Sequence, residues 1–263
     1  MSEIAPAEAT EAPQDSKAGS NATERELERM TLMEHLEELR DRIIRSLGAV
    51  VVTFALCWVF VEPIADFLAR PIYAAVPDKK LAFLGITDPF ILYVKIAALA
   101  ALFLASPIVL YQFWRFVSPG MYRRERLYAV PFVIFGSLFF VGGGAFAYYV
   151  AFPFAVEFLV EMGAAFEPVI TVDRYFRFLM VVVLGLGLMF ELPLVIFFLA
   201  QIGVVTPGFL MRHFRWAVLA IFVAAALITP TPDVVNLCLF AVPTIGLYLL
   251  GVGAAWLVGR GKK

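Results

Sequence analysis

The sequence predicts an all-α integral membrane protein with six kinked transmembrane helices and both termini in the cytoplasm. Three observations lead there. Of 263 residues, 62% are hydrophobic and 16% charged, with a mean hydropathy of +0.86, far more apolar material than a soluble core needs. The apolar residues fall in blocks of roughly 20, the length that crosses a hydrocarbon layer about 30 Å thick. Arginine and lysine crowd into alternate connections between the blocks.

Residues 1–23 are rich in Ala, Glu, Pro, Ser and Asp and nearly free of large apolar side chains. Such a stretch buries too little surface to offset its ordering entropy and reads as a disordered cytoplasmic tail. No basic segment precedes a short apolar run, so it does not read as a secretory signal. Residues 24–45 read as an amphipathic helix. Leu32, Leu36, Leu39, Ile43 and Leu47 recur at helical steps, while Glu34, Glu37, Glu38, Arg40, Asp41, Arg42 and Arg45 fill the remaining surface. This helix lies at, or rises from, the membrane interface.

Residues 46–258 hold the six spans: about Ser46 to Val61, Pro89 to Phe113, Leu127 to Phe152, Val172 to Gln201, Phe214 to Ile228 and Val234 to Val258. The fifth rises only about 22 Å as a helix, less than a normal bilayer core. Thr229-Pro230-Thr231-Pro232-Asp233 turns the chain straight into the sixth, so the two form a short hairpin around which the membrane thins. Residues 259–263 are a basic C-terminus.

With the N-terminus inside, the inner segments carry Arg29, Arg40, Arg42, Arg45, Arg115, Arg123, Arg124, Arg126, Arg212, Arg215, Arg260, Lys262 and Lys263. The outer loops carry Arg70, Lys79, Lys80, Arg174 and Arg177, and Lys95 falls within span two. This excess orients the chain. Pro107, Pro131, Pro153, Pro193 and Pro243 punctuate the spans, each removing a backbone hydrogen bond and favouring a kink. Gly142, Gly143, Gly144, Gly185 and Gly187 let neighbouring helices approach closely.

Several function classes have little to work with. The net charge of −1 offers no basic field for nucleic acid, and neither nucleotide-binding glycine motif is present. Cys57 and Cys238 sit singly in apolar blocks and read as small hydrophobes. With His35 and His213 the only histidines, no metal site, cofactor site or catalytic nucleophile–base pair is expected.

Three polar features remain. The helix Met33 to Arg42 reads most simply as a solvated face with i,i+4 pairs such as Glu38 with Arg42. In the connection after span two, Tyr111, Phe113, Trp114 and Phe116 suit the headgroup level. Glu125 stands among Arg123, Arg124 and Arg126, where it satisfies its neighbours or accepts a partner's guanidinium. Glu191 lies deep in span four, where an ionisable group usually faces a cavity or a partner.

At these residues the sequence resembles the TatC family, the membrane receptor of the twin-arginine protein translocase. The resemblance rests on His35-Leu36-Glu37-Glu38-Leu39-Arg40-Asp41-Arg42 and on Ser106-Pro107-Ile108-Val109-Leu110-Tyr111-Gln112-Phe113-Trp114 with Phe116, Pro119, Tyr122, Glu125 and Arg126. Phe146-Ala147-Tyr148 with Phe152-Pro153, then Phe190-Glu191-Leu192-Pro193, then Thr229-Pro230 with Pro232-Asp233 continue it in order. It implies a concave helical scaffold in the bacterial inner membrane that binds the Arg-Arg signal peptide of folded precursors at the cytoplasmic face. By that resemblance Glu38 and Glu125 receive the two guanidiniums, Arg40 and Arg42 shape the same patch, and Phe116 lies beside the motif's apolar positions. Glu191 lines the concave face, and Pro71, in the first outer loop, shapes a periplasmic cap. Thr229, Asp233 and Asn236 belong to the hairpin on which single-span TatA and TatB partners dock. Other TatC copies and membrane lipids complete the implied partners, and the proton motive force drives export. The competing reading is a proton-coupled small-molecule transporter using Glu191 as a relay, although no inverted repeat relates the two halves.

Overall fold

A computed structural model describes the backbone of residues 15–76, 81–117, 129–166, 169–229 and 233–261, with side chains from 33 to 257 inside those ranges. The regular elements among the described residues are all helical, apart from one parallel bridge between Ala82 and Thr171. The helices are α1 (Asp15–Val59), α2 (Val61–Ala75), α3 (Asp88–Val117), α4 (Ala129–Phe146), a π-helical turn (Ala147–Ala151) and α5 (Phe152–Met162). Then follow α6 (Val172–Phe190), α7 (Leu192–Gln201), α8 (Pro207–Arg212), α9 (Phe214–Ile228) and α10 (Val234–Gly261). The chain divides into two compact units, Met1–Ile44 and Arg45–Lys263.

Five helical stretches are long and apolar enough to cross a membrane: Met33–Val59, Asp88–Val117, Ala129–Met162, Val172–Gln201 and Val234–Leu257. Phe214–Ile228 is apolar but shorter, with 15 residues. Helix α1 starts at Asp15, inside the stretch expected to be disordered. Extending an existing helix adds one hydrogen bond per ordered residue, whereas nucleating one is costly, so a polar stretch can continue an established helix.

Within the first unit, Arg42 Nη2 donates to Glu38 Oε1 at 2.9 Å, the i,i+4 pair expected from spacing. Leu36 and Ile43, members of the predicted apolar stripe, are exposed.

In the second unit α7 packs along α10, and α4 packs against both α3 and α6. The largest apolar cluster includes Ile96, Phe152, Leu179, Leu186 and Phe240, all essentially inaccessible. The close approaches depend on particular glycines. A Cβ on Gly143 would stand 2.8 Å from the Leu186 carbonyl oxygen and from Phe190 Cβ, and one on Gly185 would stand 2.7 Å from Ile228 Cδ1. Gly142 differs from the expectation, since a side chain there would meet open space.

The prolines sit in the helices in distinct ways. Pro153 sits in the first turn of α5, straight after the π turn, so the third span continues to Met162 instead of ending at Phe152. Pro193 opens α7 after a break at Glu191, which closes α6 and starts α7. Pro107 and Pro71 lie inside uninterrupted helices. Each leaves the carbonyl four residues earlier without its helical donor. At Phe103 the Ser106 hydroxyl donates to that carbonyl at 2.8 Å. At Phe67 the Tyr148 hydroxyl does so from across the packing interface.

Helix α2 was expected as part of an outer loop. It is instead a 15-residue amphipathic helix, burying Val61, Ala65, Leu68, Ala69 and Ile72 on one face. Pro71 therefore lies within a helix. Tyr148 reaches its backbone from the π turn, and Tyr175 of α6 donates to the Leu68 carbonyl at 2.8 Å.

Candidate functional site

Glu38 is half-buried. Its Oε1 is held by Arg42, and its Oε2 has no hydrogen-bond partner among the described residues. Arg40, two residues on, is exposed. Arg42 spends one nitrogen on Glu38, while its Nε and Nη1 are buried without a partner among the described residues. A guanidinium carries five donors in a fixed fork, so the pair leaves polar capacity on both sides.

Phe116 is half-buried in the last turn of α3. Glu125 lies outside the described residues, as do Tyr122, Arg123, Arg124 and Arg126. The aromatic residues before them correct one expectation. Trp114 is buried, packing at 4.6 Å between ring centroids on Phe132 and at 6.2 Å on Phe198. It is a core residue joining α3, α4 and α7, not a headgroup anchor, because the helix turns its indole inward while Tyr111 and Phe113 remain exposed.

Glu191 occupies the corner between α6 and α7. Its backbone is satisfied, with its N–H donating to Leu188 and its carbonyl accepting from Val195. Its side chain is not: both carboxyl oxygens are buried with no partner among the described residues. The surroundings are apolar. A Cβ on Gly136 would meet Leu110 Cδ1 at 2.9 Å, Leu194 Cδ2 at 2.8 Å and Glu191 Oε2 at 3.5 Å. Helix α4 thus passes the carboxyl at a residue without a side chain. The Ser137 hydroxyl, next along α4, is also buried without a partner among the described residues. Buried polar groups are normally paired, so an unsatisfied carboxyl marks a place where a partner is missing or stability is given up.

The hairpin residues are engaged within the chain. Thr229 is 8% exposed, and its hydroxyl donates to the Ala225 carbonyl at 2.9 Å. Asp233 caps α10, accepting the Asn236 backbone N–H at 2.7 Å and the Asn236 side-chain amide at 2.9 Å. Asn236 is 1% exposed. These three close the ends of α9 and α10, and the exposed surface beside them is apolar: Leu227, Val234 and Val235.

Sequence reading missed two features. Tyr148 was noticed only within a motif, and its bond to the carbonyl freed by Pro71 joins residues 81 positions apart. Lys95 was noted only as a charge inside a span. Its Nζ reaches Asp173 Oδ1 at 2.9 Å at the start of α6, and Asp173 also accepts from Arg177 at 3.0 Å. Next to this cluster, Val172 N–H donates to the Ala82 carbonyl and Ala82 N–H to the Ile170 carbonyl.

Five span-length apolar helices, one of them holding a buried carboxyl with no partner among the described residues, define a multi-pass helical membrane protein. The family model described as Sec-independent protein translocase protein (TatC) matches residues 34–243. The chain belongs to the TatC family: it is a component of the twin-arginine protein translocase and not an enzyme. A Sec-independent protein translocase protein TatC from Koribacter versatilis is 47% identical over 236 residues, covering 88% of this chain and 87% of the relative. One from Aquifex aeolicus is 34% identical over 237 residues, covering 89% and 98%. A crystal structure described as the twin arginine translocase receptor TatC superposes with a TM-score of 0.75 at 33% identity, covering 86% of this chain and all of that one.

Proposed function

We propose that this chain is the receptor core of twin-arginine export in a bacterial cytoplasmic membrane. It binds the Arg-Arg signal peptide of folded precursors at the cytoplasmic face and assembles with TatA- and TatB-type subunits and further TatC copies. The proton motive force drives the export. The observation that carries this reading is the family match over residues 34–243, which takes in Glu38, Arg40, Arg42, Phe116, Glu125 and Glu191. A solved relative described as the receptor of this translocase supports the receptor role.

In this reading α9 is a sixth, short crossing, and both termini lie in the cytoplasm, as the arginine and lysine distribution favours. Glu38 and Glu125 each receive a guanidinium of the motif. A carboxylate accepts two parallel N–H bonds from a guanidinium and cannot do so from an ammonium, which explains a requirement for arginine over lysine. The open Oε2 of Glu38 supports a contact with an incoming guanidinium; the full fork requires Arg42 to release or share Oε1. Arg40 and Arg42 shape the receiving patch, and Phe116 supplies apolar contact. The exposed apolar surface at Leu227, Val234 and Val235 suits a single-span partner helix, with Thr229, Asp233 and Asn236 holding the hairpin that presents it.

The test is photo-crosslinking of an Arg-Arg signal peptide to the full chain in membrane vesicles, with co-purification of single-span partners. Glu38→Ala and Glu125→Ala should each weaken the crosslink by about tenfold or more, the value of one charge-assisted hydrogen bond. A Lys-Lys peptide should bind comparably weakly. Undiminished crosslinking in both variants sinks the assignment of these carboxylates.

A further inference from the structure

Helix α6 presents one continuous stripe made by Arg174, Arg177, Phe178 and Val181, spaced at three and four residues. Two cavities open along this stripe. One, of about 460 Å³, lies between α5, the connection after it and α6, and is walled by Val156, Val160, Phe166 and Tyr175. The other, of about 420 Å³, lies between α6 and the end of α9, and is walled by Val181, Leu227 and Ile228. Arg174 and Phe178 line both. Phe178 is thus a partition, and Arg174, one helical turn nearer the membrane surface, stands at its head.

Among the described residues the charges at this head are unbalanced: Asp173 pairs with both Lys95 and Arg177, and Arg174 stands beside them as a further cation. Arg174 is exposed and has no carboxylate partner among the described residues. Below it both grooves are apolar and run inward along the span. Val181 lies about 10 Å deeper than Arg174 by helical rise. The second groove is closed at depth, where Ile228 packs against Gly185. A cationic head over two apolar slots matches an amphiphile with an anionic head and two tails.

We propose that one anionic two-chain phospholipid binds here, its phosphate on Arg174 and Arg177 and one acyl chain in each groove. The guanidinium of Arg177 keeps donors free beyond the one given to Asp173. Arg174 supplies the forked contact that a phosphate accepts.

The test is native mass spectrometry of the full chain, incubated in detergent with dioleoyl phosphatidylglycerol or with phosphatidylcholine of the same chains. About fivefold greater retention of the anionic lipid is expected, the effect of one surface arginine on an anionic headgroup. Arg174→Gln should bring the ratio close to one; its exposed side chain leaves folding intact. Val160→Trp and Val181→Trp each fill one groove beneath an unaltered head and should each reduce retention; Val160→Phe and Val181→Phe replace them if helicity is lost. Equal retention of the two lipids by the unaltered chain, or an unchanged ratio in Arg174→Gln, overturns the proposal. Single-chain lysophosphatidylglycerol held as well as the two-chain lipid overturns it too, because the second groove would then contribute nothing.

Discussion

The Tyr148 hydroxyl donates to the Phe67 carbonyl, the acceptor that Pro71 deprives of its helical N–H. The two rings also stack, with centroids 4.5 Å apart. A local defect in α2 is therefore repaired by a residue of the π turn, and the repair fastens two distant segments together. Tyr148→Phe keeps the stacking and removes the bond, so it should cost about 1–3 kcal/mol in unfolding experiments, the penalty of a buried unsatisfied acceptor. In a Pro71→Ala background the restored N–H satisfies Phe67, and the same change should cost clearly less. Equal costs in both backgrounds would show that the tyrosine does not answer the proline.

Gly143 and Gly142 make a controlled pair. Gly143→Ala places a Cβ against the Leu186 backbone oxygen, which cannot rotate away, and should destabilise by about 1–3 kcal/mol. Gly142→Ala meets open space and should be neutral or stabilising by up to about 1 kcal/mol through helix propensity. Thermal unfolding of the two variants in one detergent distinguishes them.

Glu191 is expected to lower stability for the sake of function. Glu191→Leu exchanges a buried carboxyl with no partner among the described residues for an apolar group of similar size, and should stabilise the isolated chain by about 1–3 kcal/mol. Export of an Arg-Arg precursor should fall in the same variant. A destabilised chain would mean that the carboxyl has an internal partner.

The cluster of Lys95, Asp173 and Arg177 is partly exposed, so its worth is modest. Lys95→Met should change stability by less than about 1 kcal/mol, and the difference should shrink in high salt. A large, salt-insensitive loss would show a contact sheltered from solvent.

What was legible in the sequence follows interaction range. Apolar blocks located Asp88–Val117, Val172–Gln201 and Val234–Leu257 within a few residues, because span length depends on composition alone. The Glu38–Arg42 pair was legible because its partners are four residues apart. Helix α2 was missed although Val61, Ala65, Leu68 and Ile72 repeat at helical steps, since its 15 residues are interrupted by Glu62, Asp66 and Arg70 and form no span-length apolar block. The continuation past Phe152 was hidden by Pro153, which a π turn accommodates. Trp114 could not be assigned to the core before Phe132 and Phe198 were known to stand opposite it. The apolar surroundings of Glu191 depend equally on where Gly136, Leu110 and Leu194 come together.

Ser106 carries a consequence for how the molecule moves. A proline in a membrane helix is often treated as a joint, since the freed carbonyl has no preferred partner and the two halves can swing. In α3 that carbonyl, on Phe103, is already occupied by a hydroxyl three residues away. Pro107 is consequently no loose joint: with that acceptor taken, α3 is expected to behave as one rod from Asp88 to Val117.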